Sequence, residues 1–142
     1  MEPAVLGVVL DSSIVIEAER QRLDVTRFLT YVASRIGERE AGLCSISVAE
    51  LAHGVYRADT AERHQARRAF LDDLKATVPV YPITGETAEL VGKISAESAQ
   101  RGVTIPVDDL LIGACALERG YAVATRNPRH FHMIPGLTLI SL

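Results

Sequence analysis

The chain has 142 residues, of which 48% are hydrophobic and 23% are charged, and its formal net charge is −3. This length and composition indicate one folded domain, residues 1–142, and exclude a disordered chain. No apolar run approaches the roughly 18 residues of a membrane span, and "MEPAVLGVVL" lacks the cationic start of a signal peptide. We therefore expect a cytoplasmic protein with no membrane contact. The negative charge argues against tight nonspecific coating of nucleic acid.

Strand-like apolar runs alternate with helical patterns along the chain. The runs are "VVL" ending at Leu10, "GLCS" at 42–45, "VPVYP" at 78–82, "YAVAT" at 121–125 and "LTLIS" at 137–141. Between them, apolar residues recur at helical spacing around 48–55, 60–75 and 84–100, and an apolar helix follows Asp109 and stops at Gly120. Alternating strands and helices pair in parallel through right-handed crossovers. The predicted fold is α/β: a single three-layer domain with a central parallel sheet flanked by helices.

Apolar spacing also predicts which residues lie inside. In the helix at 60–75, we expect Ala66, Phe70 and Leu74 to face inward. In the helix at 84–100, we expect Ala88, Val91 and Ile94 to do so. Cys44 and Cys115 stand apart, with no CxxC pattern that would indicate a zinc or redox site. They are predicted to be buried thiols.

Acidic and amide side chains follow strands or open helices at several separate places. Asp11 follows the first strand, Glu50 lies near the start of a helix, Asp108 and Asp109 open the apolar helix, and Asn127 follows "YAVAT". The carboxyl ends of parallel strands share one edge of the sheet, where ligands bind in open α/β folds. Groups remote in sequence can therefore converge at this edge.

Each of these acids also has a purely structural interpretation. Asp11 and the serines after it are typical of a helix start. Ser47 and Glu50 fit the S-x-x-E capping box, and Asp108 fits an N-cap. Asp109 is harder to explain in this way, because a carboxylate beside an apolar helix face needs a proton, a partner or a metal. Converging carboxylates repel one another unless a cation joins them, and oxygen ligands suit Mg²⁺.

Four segments resemble, in the right order, the motif blocks of the PIN domain, and most closely those of VapC-type toxins of bacterial toxin–antitoxin pairs. They are "VVLDSSIVIE", "SISVAELAHGV", "DDLLIGACALERG" and "AVATRNPRHFHMIPGL". The resemblance implies an endoribonuclease that depends on Mg²⁺, with Mn²⁺ as a substitute, and that hydrolyses RNA phosphodiester bonds. Matched to the motifs, Asp11, Glu50 and Asp109 would hold the metal and Asn127 would orient water.

The same motifs supply supporting residues. Ser13 matches a hydroxyl that supports the first acid, Thr125 matches the threonine before the fourth polar position, and Asp108 is grouped with them. Once Asp11 is assigned to the metal, Ser12 or Ser13 is expected to cap the helix that follows.

The resemblance also implies a cognate antitoxin and a homodimer. An Arg or Lys of the antitoxin would pair with the acidic pocket. The antitoxin would grip the helices at 47–58 and 60–75, where Tyr56 and Leu71 are predicted to be available to a partner helix.

Basic residues leave two interpretations open. A patch on the second helix and the turn before it is either a solvated face or a track for the RNA backbone, with Arg57 and Arg67 as contacts; its members are Arg57, Arg63, His64, Arg67 and Arg68. Arg126, Arg129 and His130 flank Asn127, so we expect them at the rim of the site, where both arginines are further candidate RNA contacts. His130 and His132 are not expected to bind metal.

Three other functions compete with the toxin hypothesis. A signalling receiver domain would need an acid at the end of "VPVYPIT" and a Lys in "VATRN", and both are missing. A catalytically inactive PIN-like RNA- or protein-binding module would lack cleavage that EDTA abolishes and Mg²⁺ restores. A housekeeping PIN nuclease would cleave RNA without any antitoxin.

Overall fold

The five strands form one sheet, in a computed structural model that describes residues 5–142. The strands are β1 (Gly7–Leu10), β2 (Glu40–Cys44), β3 (Val80–Tyr81), β4 (Ala122–Ala124) and β5 (Leu139–Ile140). The helices are α1 (Ser12–Arg20), α2 (Val25–Ile36), α3 (Ser45–Tyr56), α4 (Ala61–Thr77), α5 (Gly85–Gln100), α6 (Val107–Arg119) and α7 (Pro128–Phe131). Residues 1–4 lie outside the described residues. The predicted domain and the segment that lacks the features of a signal peptide both begin there.

All strand pairs are parallel, and β1 occupies the centre of the sheet. The strand order is β3-β2-β1-β4-β5, and Val9 of β1 lies opposite Gly42 of β2 and Val123 of β4. The two central neighbours of β1 thus come from distant parts of the chain. The five predicted strands and their parallel pairing are confirmed.

Helices cover both faces of the sheet, which explains why the strands are largely apolar. Side chains alternate between the faces along β1. Val8 and Leu10 belong to a core formed with α1, α2, α3 and α4, whereas Val9 belongs to a second core formed with α5 and α6. These two cores separate three layers, so the predicted three-layer α/β architecture is confirmed.

Helix α2 was not predicted, and two predicted inward positions are wrong. The buried residues of α2 are Val25, Phe28, Val32 and Ile36. Ala66 of α4 and Ala88 of α5 are exposed. The buried side of α5 is instead partly polar, because Thr87 and Ser98 are fully buried beside Ile94. The Thr87 hydroxyl donates to a Glu118 carboxylate oxygen at 3.0 Å, which compensates its burial.

Helix α6 packs against the sheet as predicted, and Gly120, in the left-handed conformation, ends it. Its residues Ile112 and Cys115 have no exposed surface, and Cys44 at the end of β2 is equally buried, so the predicted burial of both thiols is confirmed. Within residues 5–142, no helix, α6 included, combines the length and apolarity that a bilayer crossing requires.

Close packing of two tyrosine rings on the strands requires glycine beneath them. A Cβ atom added to Gly42 would lie 2.7 Å from the Tyr81 ring and 2.8 Å from the Pro79 carbonyl oxygen. The Tyr81 and Tyr121 hydroxyls both donate to the same Glu40 carboxylate oxygen. The two rings meet edge to face, with centroids 5.7 Å apart, and the shared carboxylate holds both hydroxyl groups.

Candidate active site

Strand register brings Asp11 and Thr125 together at the carboxyl edge of the sheet. Leu10 of β1 lies opposite Ala124 of β4, so the residues that follow these strands are neighbours. The Asp11 backbone N–H donates to the Ala124 carbonyl oxygen at 2.9 Å. Asp11 and Thr125 are 7% and 5% exposed, respectively.

Two hydroxyl groups fix the Asp11 carboxylate. The Ser13 hydroxyl donates to Asp11 Oδ2 at 2.7 Å, and the Thr125 hydroxyl donates to the same oxygen at 2.8 Å. Each hydroxyl accepts a backbone N–H in turn, Ser13 from Arg126 at 3.0 Å and Thr125 from Asn127 at 2.9 Å. The loop after β4 therefore orients the carboxylate through two relayed hydrogen bonds.

The prediction that Ser12 or Ser13 caps α1 is wrong. The N-cap residue is Asp11, and its side chain accepts no hydrogen bond from a backbone N–H of the first turn. Both serines already lie inside the helix, so their hydroxyl groups point to the site instead. The Ser12 hydroxyl lies 3.4 Å from Glu50 Oε1, a long hydrogen bond to the second acid.

Glu50 does not belong to a capping box. Helix α3 begins at Ser45 with Cys44 as its N-cap, so Ser47 lies within the helix, fully buried, and its hydroxyl has no partner within residues 5–142. Glu50 lies one turn further on, half-buried. Burial, followed by the negative charges of Asp11, Asp108 and Asp109, raises the pKa of Glu50 to about 7.

Asp108 and Asp109 lie in the first turn of α6, whose N-cap is Pro106. The N-cap interpretation of Asp108 is therefore wrong. Burial and the charge of Asp11 raise the pKa of Asp109, and the nearby His130 opposes this change. Asp108 is exposed, and its charge contributes to the raised pKa of both Glu50 and Asp109. The carboxylates thus share one electrostatic environment although they come from three separate elements.

This acid cluster fits a divalent cation in its chemistry. Its donors are carboxylate oxygens, and burial together with the neighbouring negative charges raises the pKa of Glu50. Among the described residues, no three His, Cys, Asp or Glu side chains are close enough to enclose an ion. Mg²⁺ keeps several waters and takes only one or two carboxylates directly, so a preformed protein cage is not required.

His130 is the site residue whose role the sequence did not predict. Its Nδ1 atom lies 3.0 Å from Asp109 Oδ2. The sequence placed His130 only at the rim, because 21 residues separate the pair and no periodic pattern links them. In the sequence, His130 stands out only as a histidine one turn after Asn127. Its contact with Asp109 arises because α7 folds back on α6.

The rim of the site carries Asn127, Arg126 and Arg129, all exposed. The Arg126 guanidinium lies 3.6 Å from a Glu17 carboxylate oxygen. Beyond this pair lies a groove of about 340 Å³ between α1 and α2, to which Ile14, Phe28 and Tyr31 contribute apolar surface. The three carboxylates do not line this groove, so it is a separate feature beside the acidic site.

The basic patch on α4 is largely paired with α3, with α4 itself and with the turn between them. Arg63 and Arg68 form ion pairs at 2.8 Å with Asp59 and Asp72. His64 Nδ1 lies 2.9 Å from the Val55 carbonyl oxygen, and Arg67 donates to the Gly54 carbonyl oxygen at 2.8 Å. These contacts favour the solvated-face interpretation, and they leave Arg57 exposed at the end of α3.

The predicted partner residues on α3 and α4 differ in exposure. Tyr56 is 74% exposed, as expected of a residue available to a partner. Leu71 is only 1% exposed and belongs to the core with Phe28 and Phe70. The prediction that Leu71 is available to a partner helix is therefore wrong.

The fold and the site define a three-layer α/β domain with an acidic pocket at the carboxyl edge of a parallel sheet. The model of the PIN domain family matches residues 8–136. The chain belongs to the PIN domain family, and this confirms the family expected from its four motif segments.

Individual relatives carry VapC names, as the motif segments predicted. Ribonuclease VapC1 of Rickettsia felis is 26% identical over 137 residues, which cover 96% of this chain and 97% of that protein. The tRNA(fMet)-specific endonuclease VapC of Salmonella typhimurium is 28% identical over 111 residues, 77% of this chain and 82% of that protein. A crystal structure of VapBC2 from Rickettsia felis, bound to a DNA fragment from its promoter, has a chain with the same fold; the TM-score is 0.79 at 24% identity, covering 95% of this chain and 98% of that one.

Proposed function

We propose that the protein is a divalent-metal-dependent endoribonuclease and the cytoplasmic toxin of a toxin–antitoxin pair. The observation that carries the proposal is the shared environment of Asp11, Glu50 and Asp109, which raises the pKa of Glu50 to about 7. Clustered, partly buried carboxylates repel one another, and a bound cation relieves this repulsion. The similarity to proteins named VapC ribonucleases supports RNA as the substrate.

The three carboxylates would hold Mg²⁺, or Mn²⁺ in its place. A bound ion of this kind lowers the pKa of water and stabilises negative charge on a phosphate. Asp11 contributes a fixed carboxylate, because Ser13 and Thr125 already hold one of its oxygens. Asn127 contributes an exposed amide at the rim, where it would orient the attacking water by hydrogen bonding.

The RNA backbone would contact the arginines of the rim. Arg126 and Arg129 are exposed beside Asn127, and guanidinium groups match phosphate oxygens. Arg57 would extend this path, whereas Arg67 already donates to the Gly54 carbonyl oxygen and would contribute charge. Since one relative is named a tRNA(fMet)-specific endonuclease, tRNA is the first substrate to test.

Cleavage assays of single amide variants test the proposal. Asp11→Asn, Glu50→Gln and Asp109→Asn should each lose most RNA cleavage while remaining folded, because an amide of the same shape replaces a charged ligand. Asp73→Asn is the matched control, since Asp73 is an exposed acid of α4 outside the site. EDTA should abolish cleavage by the wild-type protein, and Mg²⁺ or Mn²⁺ should restore it.

Two results would overturn this assignment. If Asp11→Asn or Asp109→Asn cleaved RNA as fast as the wild type, these carboxylates would not be required for the reaction. A folded wild-type protein that binds tRNA but cleaves no cellular RNA with either ion would favour the inactive binding module.

An antitoxin and a second copy of the chain are the proposed protein partners. A basic side chain of the antitoxin would pair with the acid cluster, and an apolar segment would use the exposed Tyr56 of α3 or the groove beside Arg126. Co-expression with a small protein encoded beside the toxin should give a complex with suppressed cleavage. A neighbour that neither binds nor inhibits would favour the housekeeping nuclease, and sedimentation of the free toxin tests the homodimer.

A further inference from the structure

We propose that His130 is a positioning residue that holds the Asp109 carboxylate in the orientation required for binding the divalent cation. This inference rests on the proposed function and deepens it by adding a residue that acts through a ligand. It concerns a side chain of α7 that the family motif does not place at the metal.

The contact between the two side chains is short and specific. His130 Nδ1 lies 3.0 Å from Asp109 Oδ2, and the side chains are 37% and 23% exposed. Within residues 5–142, it is the only hydrogen bond to the Asp109 carboxylate. Asp11, by contrast, has both Ser13 and Thr125 as donors. The orientation of Asp109 therefore depends on one imidazole, whose compatible tautomer carries a proton on Nδ1.

The backbone that carries His130 is anchored to the helix that carries Asp109. Phe131 is 1% exposed and Ile134 is 3% exposed, and both belong to the same core as Leu110 of α6. The packing is close, because a Cβ atom added to Gly113 would lie 2.5 Å from Ile134 Cδ1. A rigid attachment of this kind lets a single hydrogen bond fix a rotamer.

Loss of a partner that orients a ligating side chain typically lowers metal affinity by about 10- to 100-fold. A carboxylate with one oxygen held by His130 has fewer rotamers to lose when it binds an ion. The second oxygen, Oδ1, accepts no hydrogen bond from the described residues and stays available. Loss of the imidazole should thus weaken metal binding without unfolding the domain.

Calorimetric titration of the folded protein with Mn²⁺ alone is the test, with RNA cleavage as a second readout. His130→Ala should weaken Mn²⁺ binding by about 10- to 100-fold and slow cleavage in parallel. His130→Asn should restore most of the affinity, because its amide nitrogen can take the place of Nδ1. His130→Gln should not, because its amide nitrogen reaches the place of Nε2. His132→Ala, an exposed neighbour, should bind Mn²⁺ like the wild type.

A double variant separates this inference from the proposed function. If His130 acts through Asp109, adding His130→Ala to Asp109→Asn should cause no further loss of Mn²⁺ affinity. Unchanged Mn²⁺ affinity in His130→Ala, while Asp109→Asn loses it, would overturn the inference and leave the proposed function intact. Unchanged affinity and cleavage in Asp109→Asn would overturn the proposed function itself. Rescue by Gln as complete as by Asn would also exclude the Nδ1 contact.

Discussion

At the scale of single residues, Asp11 differs from the other two acids in how firmly it is held. Two hydroxyl groups donate to one of its oxygens, and each of them is bonded to the loop after β4. Glu50 has one long hydrogen bond from Ser12, and Asp109 has one from His130. The site is thus rigid at the strand end and depends on single contacts at the two helices.

Replacing Thr125 with valine should weaken both stability and cleavage. Valine has nearly the same shape but removes the donor to Asp11 and the acceptor for the Asn127 N–H. Buried polar groups that lose a partner cost about 1–3 kcal/mol. Urea denaturation measures the stability loss, and Thr125→Ser, which keeps the hydroxyl, is the control. A valine variant as stable and as active as the wild type would contradict this role.

Replacing Glu50 with glutamine should change how the stability of the metal-free protein depends on pH. Burial and the neighbouring acids raise the pKa of Glu50 from 4.5 to about 7 in the folded state. Between these values the folded protein retains a proton that the unfolded chain releases, so the free energy of unfolding falls as pH rises. Glutamine does not titrate, so the variant should be the more stable protein above pH 7 and lose this advantage toward pH 4.5.

Denaturant titrations over this pH interval, without metal, provide the measurement. The difference should be smaller than the full pKa shift suggests, because Glu50 is half-exposed and solvent screens its charge. Parallel pH profiles for the wild type and the variant would show that folding does not raise the pKa of Glu50.

At the scale of elements, β2 depends on glycine where β3 and the Tyr81 ring approach it. A Cβ atom in Gly42→Ala would lie 2.8 Å from the Pro79 carbonyl oxygen, which cannot rotate away. We expect a loss of about 1–3 kcal/mol, as for other overpacked positions. Gly92→Ala in α5 is the control, because its Cβ would meet nothing within 4 Å and alanine favours a helix by up to about 1 kcal/mol.

Thermal melting of the two alanine variants gives the comparison directly. Gly42→Ala should melt below the wild type and Gly92→Ala at or above it. If both substitutions changed the melting temperature equally, the close approach over β2 would not limit stability.

Patterns in the sequence predicted the strands and most of the helices, but they predicted the side-chain contacts at the helix starts poorly. The central strands are recognisable because β1 and β4 are buried throughout and β2 is buried toward its end, and the carboxyl edge follows from parallel pairing. Helix α2 has a regular spacing from Val25 to Ile36, yet its many polar residues hid it. The capping box at Ser47 and the N-cap at Asp108 failed because helix starts shift by a few residues, which changes the role of every side chain in the first turn. The His130 contact required the tertiary fold.

At the scale of the whole molecule, the acid cluster should make stability depend on divalent ions. A ligand that binds only the folded state stabilises it by about 2.7 kcal/mol at a hundredfold excess over its Kd. Mg²⁺ or Mn²⁺ should therefore raise the melting temperature by several degrees, measured after removal of metal with EDTA and dialysis. Asp109→Asn should lose most of this increase and, without metal, should melt at or slightly above the wild-type temperature, because it relieves repulsion. A wild-type melting temperature that neither ion changes would contradict a metal site.

The central place of β1 also sets the order in which a newly made chain can become active. Asp11 leaves the ribosome before its donor Thr125, which lies 114 residues later. Strand β4, the neighbour of β1, precedes Thr125 directly. Long-range pairings of this kind form late, after the intervening chain is available. A nascent chain thus carries the acids Asp11 and Glu50 before any site exists, and translation that stops before Ala122 yields a fragment without β4, Thr125 or His130. The acidic site therefore cannot assemble until β4 and the loop after it have been made.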